Sequence, residues 1–160
     1  MRLKLNFKTY NMKKKYFSIQ VLIMLLFTIS LSKAEISNNF IDGKKLFEKK
    51  KYEESKIFFE KDIVFNPKSE KAYLYLAKIY NKEDNNDQEE ANLNNVLLLN
   101  PQNDEAIYMM AILKIKQSDY EKTRELIKKF DLVCKSFCFK KKEIKKKFEK
   151  LIPKNAKGNN

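Results

Sequence analysis

The chain contains no histidine and no tryptophan, and only two glycines, three prolines and two cysteines among 160 residues. Without imidazole, histidine general bases, histidine-dependent triads and the common zinc sites drop out. The two glycines are Gly43 and Gly158, so no glycine-rich phosphate loop can be assembled. The same scarcity of Gly and Pro argues against a sheet protein built on tight turns. With 43% hydrophobic and 34% charged residues, the composition suits a compact all-helical protein instead. Carboxylates are plentiful, but Glu53-Glu54 and Glu89-Glu90 read as solvated helix positions rather than a catalytic pair. No enzyme activity, cofactor or metal is expected.

Residues 1–34 follow the plan of a secretory leader. Lys13, Lys14 and Lys15 precede an apolar run from Tyr16 to Leu31, and Ser32 and Ala34 place small residues where a signal peptidase would inspect them. A spanning helix needs about 20 mostly apolar residues. This run is shorter and is interrupted by Ser18, Gln20, Thr28 and Ser30. Cleavage after Ala34 is therefore the expectation, with Met12 an alternative start and an uncleaved anchor the competing reading. The lysine-led, compact leader points to the periplasm of a bacterium.

Removing residues 1–34 takes away seven basic and no acidic side chains, which leaves 27 minus 21, or +6. That charge is unevenly spread. Residues 35–127 carry 15 basic and 18 acidic groups, net −3, whereas residues 128–160 carry 12 lysines and three acids, net +9. The basicity belongs to the two ends, so it gives no ground for a nucleic-acid partner. The basic C-terminal segment admits a solvated helix, contact with an anionic membrane, or contact with an acidic partner.

Asn66-Pro67 recurs 34 residues later as Asn100-Pro101. Aligned on these prolines, the chain divides into windows 36–69, 70–103 and 104–137. Apolar residues fall at helical spacing in each: Phe40, Leu46 and Phe47; Phe58, Phe59, Ile63 and Phe65; Leu74, Leu76, Ala77 and Tyr80; Met109, Met110, Leu113 and Ile115. Ser37, Ser69 and Asp104 stand where helix N-caps are wanted. The spacing predicts helices over about 36–50, 53–66, 70–82, 88–99, 104–117, 120–133 and 139–152. A 34-residue period is that of a helix-turn-helix solenoid.

The pattern resembles the tetratricopeptide repeat (TPR) family. Gly43, Ala77 and Ala111 take the small eighth position of the unit; Ser55 and Thr123 the small twentieth; Phe59, Leu93 and Ile127 the large twenty-fourth; Pro67 and Pro101 the thirty-second. Small residues let two antiparallel helices approach, large ones fill the groove between them, and proline ends the second helix. The chain departs from the pattern at Asn39, Asp42, Asp62, Glu89, Lys114 and Lys135. The turn around Glu83–Gln88 reads as a long one, with Ala91 replacing Glu89 as the small residue.

The resemblance implies an all-α, TPR-like α-solenoid over 35–152, with three repeats and a capping helix at 139–152, followed by a disordered tail at 153–160. The cap should lay Ile144, Phe148, Leu151 and Ile152 on the third repeat and keep its lysines outward.

The resemblance further implies a concave groove lined by the first helix of each pair. It carries Phe40, Leu74 and Tyr108 at the fifth positions, Lys44, Lys78 and Ile112 at the ninth, and Phe47, Asn81 and Ile115 at the twelfth. Lys71, Lys82 and Lys116 extend the same surface. Aromatic rings and ammonium groups together suit an extended peptide with acidic groups. The competing reading packs Phe40, Phe47 and Tyr108 between neighbouring repeats. Lys44 and Lys78 do not match the asparagines of the subfamily that clamps C-terminal carboxylates.

Cys134 and Cys138 leave three readings open: a structural disulfide in an exported chain, free thiols, or a redox or metal role. If the chain turns between the third repeat and the cap, a bridge there would pin the cap to the solenoid. The function implied is an exported, non-enzymatic adaptor for a protein or peptide. The alternative is a structural subunit of an envelope complex, tethered by an uncleaved N-terminus and the lysine-rich helix.

Overall fold

The structure, a computed structural model, describes residues 37–151 together with Gln20. The leader expected over 1–34, Gln20 apart, and the tail expected over 153–160 lie outside the described residues. So do Ile152 and the side chain of Leu151. Residues 37–151 form α1 (Asn38–Glu48), α2 (Tyr52–Phe65), α3 (Glu70–Lys82), α4 (Asn86–Leu99), α5 (Asp104–Lys116), α6 (Tyr120–Val133), a 3₁₀ turn (Cys138–Lys140) and α7 (Lys141–Leu151). None of these helices is long and apolar enough to cross a membrane.

The closest packing is within the pairs α1–α2, α3–α4 and α5–α6. Successive pairs meet through α2 against α3 and α4 against α5, and α7 lies on α5 and α6.

One turn geometry joins the two helices of every pair. Lys50, Asp84 and Ser118 adopt left-handed backbone conformations, with φ of 60°, 54° and 60°, and they stand 34 residues apart. At each, the left-handed residue donates its N–H to the carbonyl three residues back in the helix end, and the following residue donates five back. Lys50 N–H reaches Phe47 O and Lys51 N–H reaches Leu46 O; Asp84 reaches Asn81 and Asn85 reaches Tyr80; Ser118 reaches Ile115 and Asp119 reaches Lys114. This is the Schellman arrangement, which satisfies carbonyls the helix leaves unpaired. Glycine usually occupies it, because a Cβ there costs roughly 1 kcal/mol.

The helix starts are capped by Ser37, Asn85, Asn103 and Asp119, each accepting the backbone N–H three residues on. Ser37 was expected in this role. Asp104 is the first helical residue, with Asn103 as the cap. Ser69 precedes α3, but its hydroxyl turns to Asp62 instead of capping. The fourth helix begins at Asn86, two residues earlier than its pattern predicts, because Asn85 supplies a cap inside what reads as a long polar turn.

Small residues set the separations within pairs. A Cβ on Gly43 would lie 2.9 Å from Cε1 of Phe59, and the Gly43 carbonyl accepts the Ser55 hydroxyl at 2.7 Å. Ala77 and Ala111 are fully buried at the corresponding positions. Two clusters make the core. Phe40, Phe59, Ala72, Leu76 and Ile79 form one, with Phe47, Tyr52 and Tyr75 against it. Leu74, Leu93, Val96, Ile107, Met110, Leu113, Ile127, Phe130, Ile144 and Phe148 belong to the other. Ile144 and Phe148 are the cap's contribution.

Three of the polar departures from the repeat pattern, Asp62, Glu89 and Lys114, find side-chain partners. Asp62, essentially buried, accepts the hydroxyls of Ser37 and Ser69. Lys114 donates to Glu90 at 2.6 Å. Glu89 is buried, which corrects the solvated reading of that position, and both its oxygens accept from Asn81 Nδ2 at 3.0 and 3.1 Å. Ala91 is exposed and does not take the small residue's place. A buried carboxylate is tolerated in a helix pair when a neighbouring amide can solvate it.

Candidate functional site

The first helices of the pairs, α1, α3 and α5, carry the residues expected to line a groove, and the structure divides that set. Phe40 and Leu74 are only 7% and 8% exposed and belong to the two cores, so neither ring nor methyls face a ligand. Tyr108 is half-buried beneath the cap. Its hydroxyl donates to Glu143 Oε1 at 2.9 Å, its ring meets Phe130 and Phe137, and Lys140 Nζ lies 5.7 Å from its centroid. Ile115 is buried and Ile112 half-buried against the larger core. Packing between helices therefore claims Phe40, Leu74 and most of Tyr108, in line with the competing reading of the aromatic residues.

The rest lies at the surface. Lys44, Lys71 and Lys82 are exposed, Lys78 and Phe47 half-exposed. Asn81, also exposed, has its amide committed to Glu89. Sequence reasoning missed Tyr75, which joins these residues together. Its ring centroid lies 5.0 Å from Phe47, 5.1 Å from Phe59 and 5.6 Å from Phe40. Lys78 Nζ sits 4.8 Å above it, one helical turn on, a spacing at which side chains meet. That i, i+3 pairing was the available signal.

Electrostatically the surface is half-compensated. Lys78 pairs with Glu105 at 2.8 Å across α3 and α5, Lys116 with Asp84 at 2.8 Å, and Lys44 with Glu48 at 3.7 Å along α1. Lys116 holds the Asp84 carboxyl below its ordinary pKa. Lys82 lies 5.3 Å above the Tyr52 ring; neither it nor Lys71 forms an ion pair with a carboxylate among the described residues. The Lys44–Glu48 and Lys116–Asp84 pairs are exposed, and such pairs contribute about 0–1 kcal/mol, so a ligand carboxylate can replace the resident one there at small cost. Burial pushes the Tyr75 hydroxyl pKa up, against the pull of Lys44. Nothing in this group pairs a nucleophile with a base; what the arrangement can do is hold apolar and anionic groups.

Cys134 and Cys138 are joined in a disulfide with Cα atoms 5.2 Å apart. They bracket the turn between α6 and α7. The same turn is held by Asp104 at the start of α5, whose Oδ2 accepts the backbone N–H of Lys135 at 2.6 Å and of Phe137 at 2.8 Å. Burial opposes the charge on Asp104, but these N–H donors outweigh it and lower its pKa. Lys135 stands where Pro67 and Pro101 stand in the earlier windows. A proline there would have no N–H to give.

Glu70, the first residue of α3, holds the preceding turn through side chains instead, accepting the Nδ2 amides of Asn100 at 3.1 Å and of Asn103. At the far end, Lys140, then Lys147 and the Tyr108 hydroxyl hold the Glu143 carboxyl down to about 2.

At the level of sequence, no family model and no curated protein matches the chain. Its structure is similar to several solved ones. The first TPR of Spaghetti (RPAP3), bound to the HSP90 peptide SRMEEVD, superposes with a TM-score of 0.64 at 17% identity, over 71% of this chain and 90% of that one. The type III secretion translocator chaperone SycD of Yersinia enterocolitica gives 0.64 at 12% identity, over 73% and 86%. The TPR2B domain of yeast Sti1, in its Hsp70 complex, gives 0.61 at 18% identity, over 71% and 92%. The described residues therefore have the fold of the tetratricopeptide-repeat proteins, an all-α solenoid of three helix pairs closed by a C-terminal capping helix.

Proposed function

We propose that this chain is an exported, non-enzymatic adaptor that binds an extended, acidic peptide segment along α1, α3 and α5. The observation that carries the reading is Lys78, held over the Tyr75 ring and paired with Glu105 of the next first helix. A lysine so placed offers an incoming carboxylate a charge whose position is fixed by its neighbours. Lys44, Phe47, Lys71 and Lys82 extend that surface with charge and half-buried apolar area.

Peptide-bound neighbours support a protein or peptide partner, since the first TPR of Spaghetti holds a segment containing two glutamates and an aspartate. Export rests on the leader pattern of residues 1–34. The tethered-subunit alternative rests on the same apolar run left uncleaved.

The test is fluorescence polarisation with labelled peptides of the SRMEEVD type and with versions carrying Gln and Asn for Glu and Asp. Binding of the acidic peptides is expected, weakened about five- to tenfold by Lys78→Ala or Tyr75→Ala. Equal affinity for the neutral peptides, or indifference to both substitutions, would overturn the reading. Expression in a secreting host, with intact mass measured by cell fraction, tests export. A soluble envelope species beginning at Glu35 is expected, and a membrane-bound species retaining Met1 or Met12 would favour the tethered subunit.

A further inference from the structure

The ends of the second helices carry large apolar side chains in water. Val64, Leu98 and Leu132, 34 residues apart, are 75%, 80% and 86% exposed, and Phe65 beside Val64 is 79% exposed. They recur at one register of α2, α4 and α6, and none of them belongs to either core. Repetition at the period of the fold marks a single surface, distinct from the one on α1, α3 and α5.

We propose that this ladder is a docking surface for an anionic phospholipid bilayer. Three observations point there. Val64, Leu98 and Leu132 protrude one per helix pair, with Phe65 beside the first, which an interfacial acyl layer accepts without any pocket; protein hot spots instead seat anchors in packed recesses. The ladder is bordered by lysines, Lys61 and Lys128 one turn back on α2 and α6 and Lys68 and Lys135 in the turns just past their ends. Lys61 and Lys68 flank Val64 and Phe65, and Lys128 and Lys135 flank Leu132; all four are exposed, and none pairs with a carboxylate among the described residues.

The nearby acids do little to offset them. Asp131 is engaged by Lys145 at 2.6 Å and Lys141 at 3.6 Å, which leaves Glu60 as the exposed carboxylate of this end of α2. The rung between them, on α4, is bordered by uncharged Asn94 and Gln102. Finally, a second copy placed ladder to ladder would set lysines against lysines, whereas an anionic headgroup layer attracts them. This surface goes beyond the adaptor reading and does not depend on it: one face binds the partner while another rests on lipid.

The chain has no tryptophan, so a single introduced indole reports its own surroundings. In the full chain, Leu98→Trp and Leu132→Trp are compared with Glu121→Trp, an exposed position at the opposite end of α6. Vesicles of phosphatidylglycerol mixed with phosphatidylcholine should shift emission of the two ladder reporters to the blue and leave the Glu121 reporter unchanged. Pure phosphatidylcholine vesicles should produce no shift, and raised salt should reverse the shift on the anionic ones.

No shift at the ladder, or an equal shift at all three positions, overturns the proposal. So does an equal shift on both kinds of vesicle, which removes the role of the lysines. A ladder reporter already blue-shifted before vesicles are added also overturns it, with dilution separating a second copy from coverage by Tyr16–Leu31 of the same chain.

Discussion

The two ends of the solenoid are fastened by different chemistry. At the α1–α2–α3 end, side chains hold side chains: Phe40, Phe47 and Phe59 interlock with Tyr75 of α3, and Asp62 collects the hydroxyls of Ser37 and Ser69. At the α5–α6–α7 end the core is mostly aliphatic, and the fastening acts on the backbone. Asp104 takes two main-chain N–H groups of a turn that a disulfide also closes. Side-chain packing tolerates some repacking by its neighbours, whereas a clamp on backbone donors is lost whole when its one carboxylate goes. The first end should thus fail by cavity formation and the second by unfastening.

Several substitutions would break or sharpen this comparison. Phe59→Ala should have the largest effect, about 3–5 kcal/mol off the stability, because the ring is fully buried and fills the space against Gly43. Denaturant midpoints would show it. A loss under about 1 kcal/mol would mean the aromatic end can collapse around the gap.

At the other end, Asp104→Ala should cost about 2 kcal/mol, and replacing Cys134 and Cys138 with serine a similar amount for so short a closed loop. The two changes act on one turn, so their sum should exceed the combined variant. Strict additivity would show that clamp and bridge are independent. Lys135→Pro is the sharper test. It installs the residue that Pro67 and Pro101 make regular, yet it should destabilise by roughly 1–2 kcal/mol, because the N–H given to Asp104 disappears.

Two carboxylates set opposite pH dependences. Burial raises the Glu89 pKa against the help of Asn81. Its contribution to stability is therefore present below the ordinary carboxylate pKa and lost as pH rises through the raised folded value. Glu89→Gln should raise the thermal midpoint at pH 7 by an amount corresponding to about 1 kcal/mol, and the gain should vanish near pH 4. Glu143, held down to about 2 chiefly by Lys140, behaves conversely. Its contribution is present at neutral pH and fades as pH falls below the unfolded value of about 4.3 toward 2. Being partly exposed, it contributes less than its shift suggests.

The smallest effect is expected from Ser118→Gly, a gain of about 0.5–1 kcal/mol from relieving its left-handed backbone. Thermal melts resolve that difference.

How much of this was legible in the sequence depends on where the information sits. The 34-residue period, the small residues Gly43, Ala77 and Ala111, and the cap's Ile144 and Phe148 could be read because packing selects size, and size is written in residue type. The burial of Glu89 could not, because it depends on Asn81 arriving from the preceding helix. Asp104 looked like an N-cap since that is what an aspartate before a helical run usually does. Its partners are backbone N–H groups more than 30 residues away, which any residue but proline could supply. In the groove, the repeat pattern placed Phe40 and Leu74 on the correct helices, but burial there is decided by the neighbouring pair. Tyr75 went unnoticed because its role depends on Phe40, Phe47 and Phe59 reaching it from the neighbouring pair.

The Cys134–Cys138 bridge carries one more consequence, concerning the chain before it folds. With two cysteines, the chain admits a single intramolecular pairing, so no scrambled isomer exists for an isomerase to correct. A separation of four residues also means the two thiols meet often in the unfolded chain, without waiting for any helix pair to form. Oxidation can then precede folding, and the last unit begins its search for structure with the corner into the cap already bent.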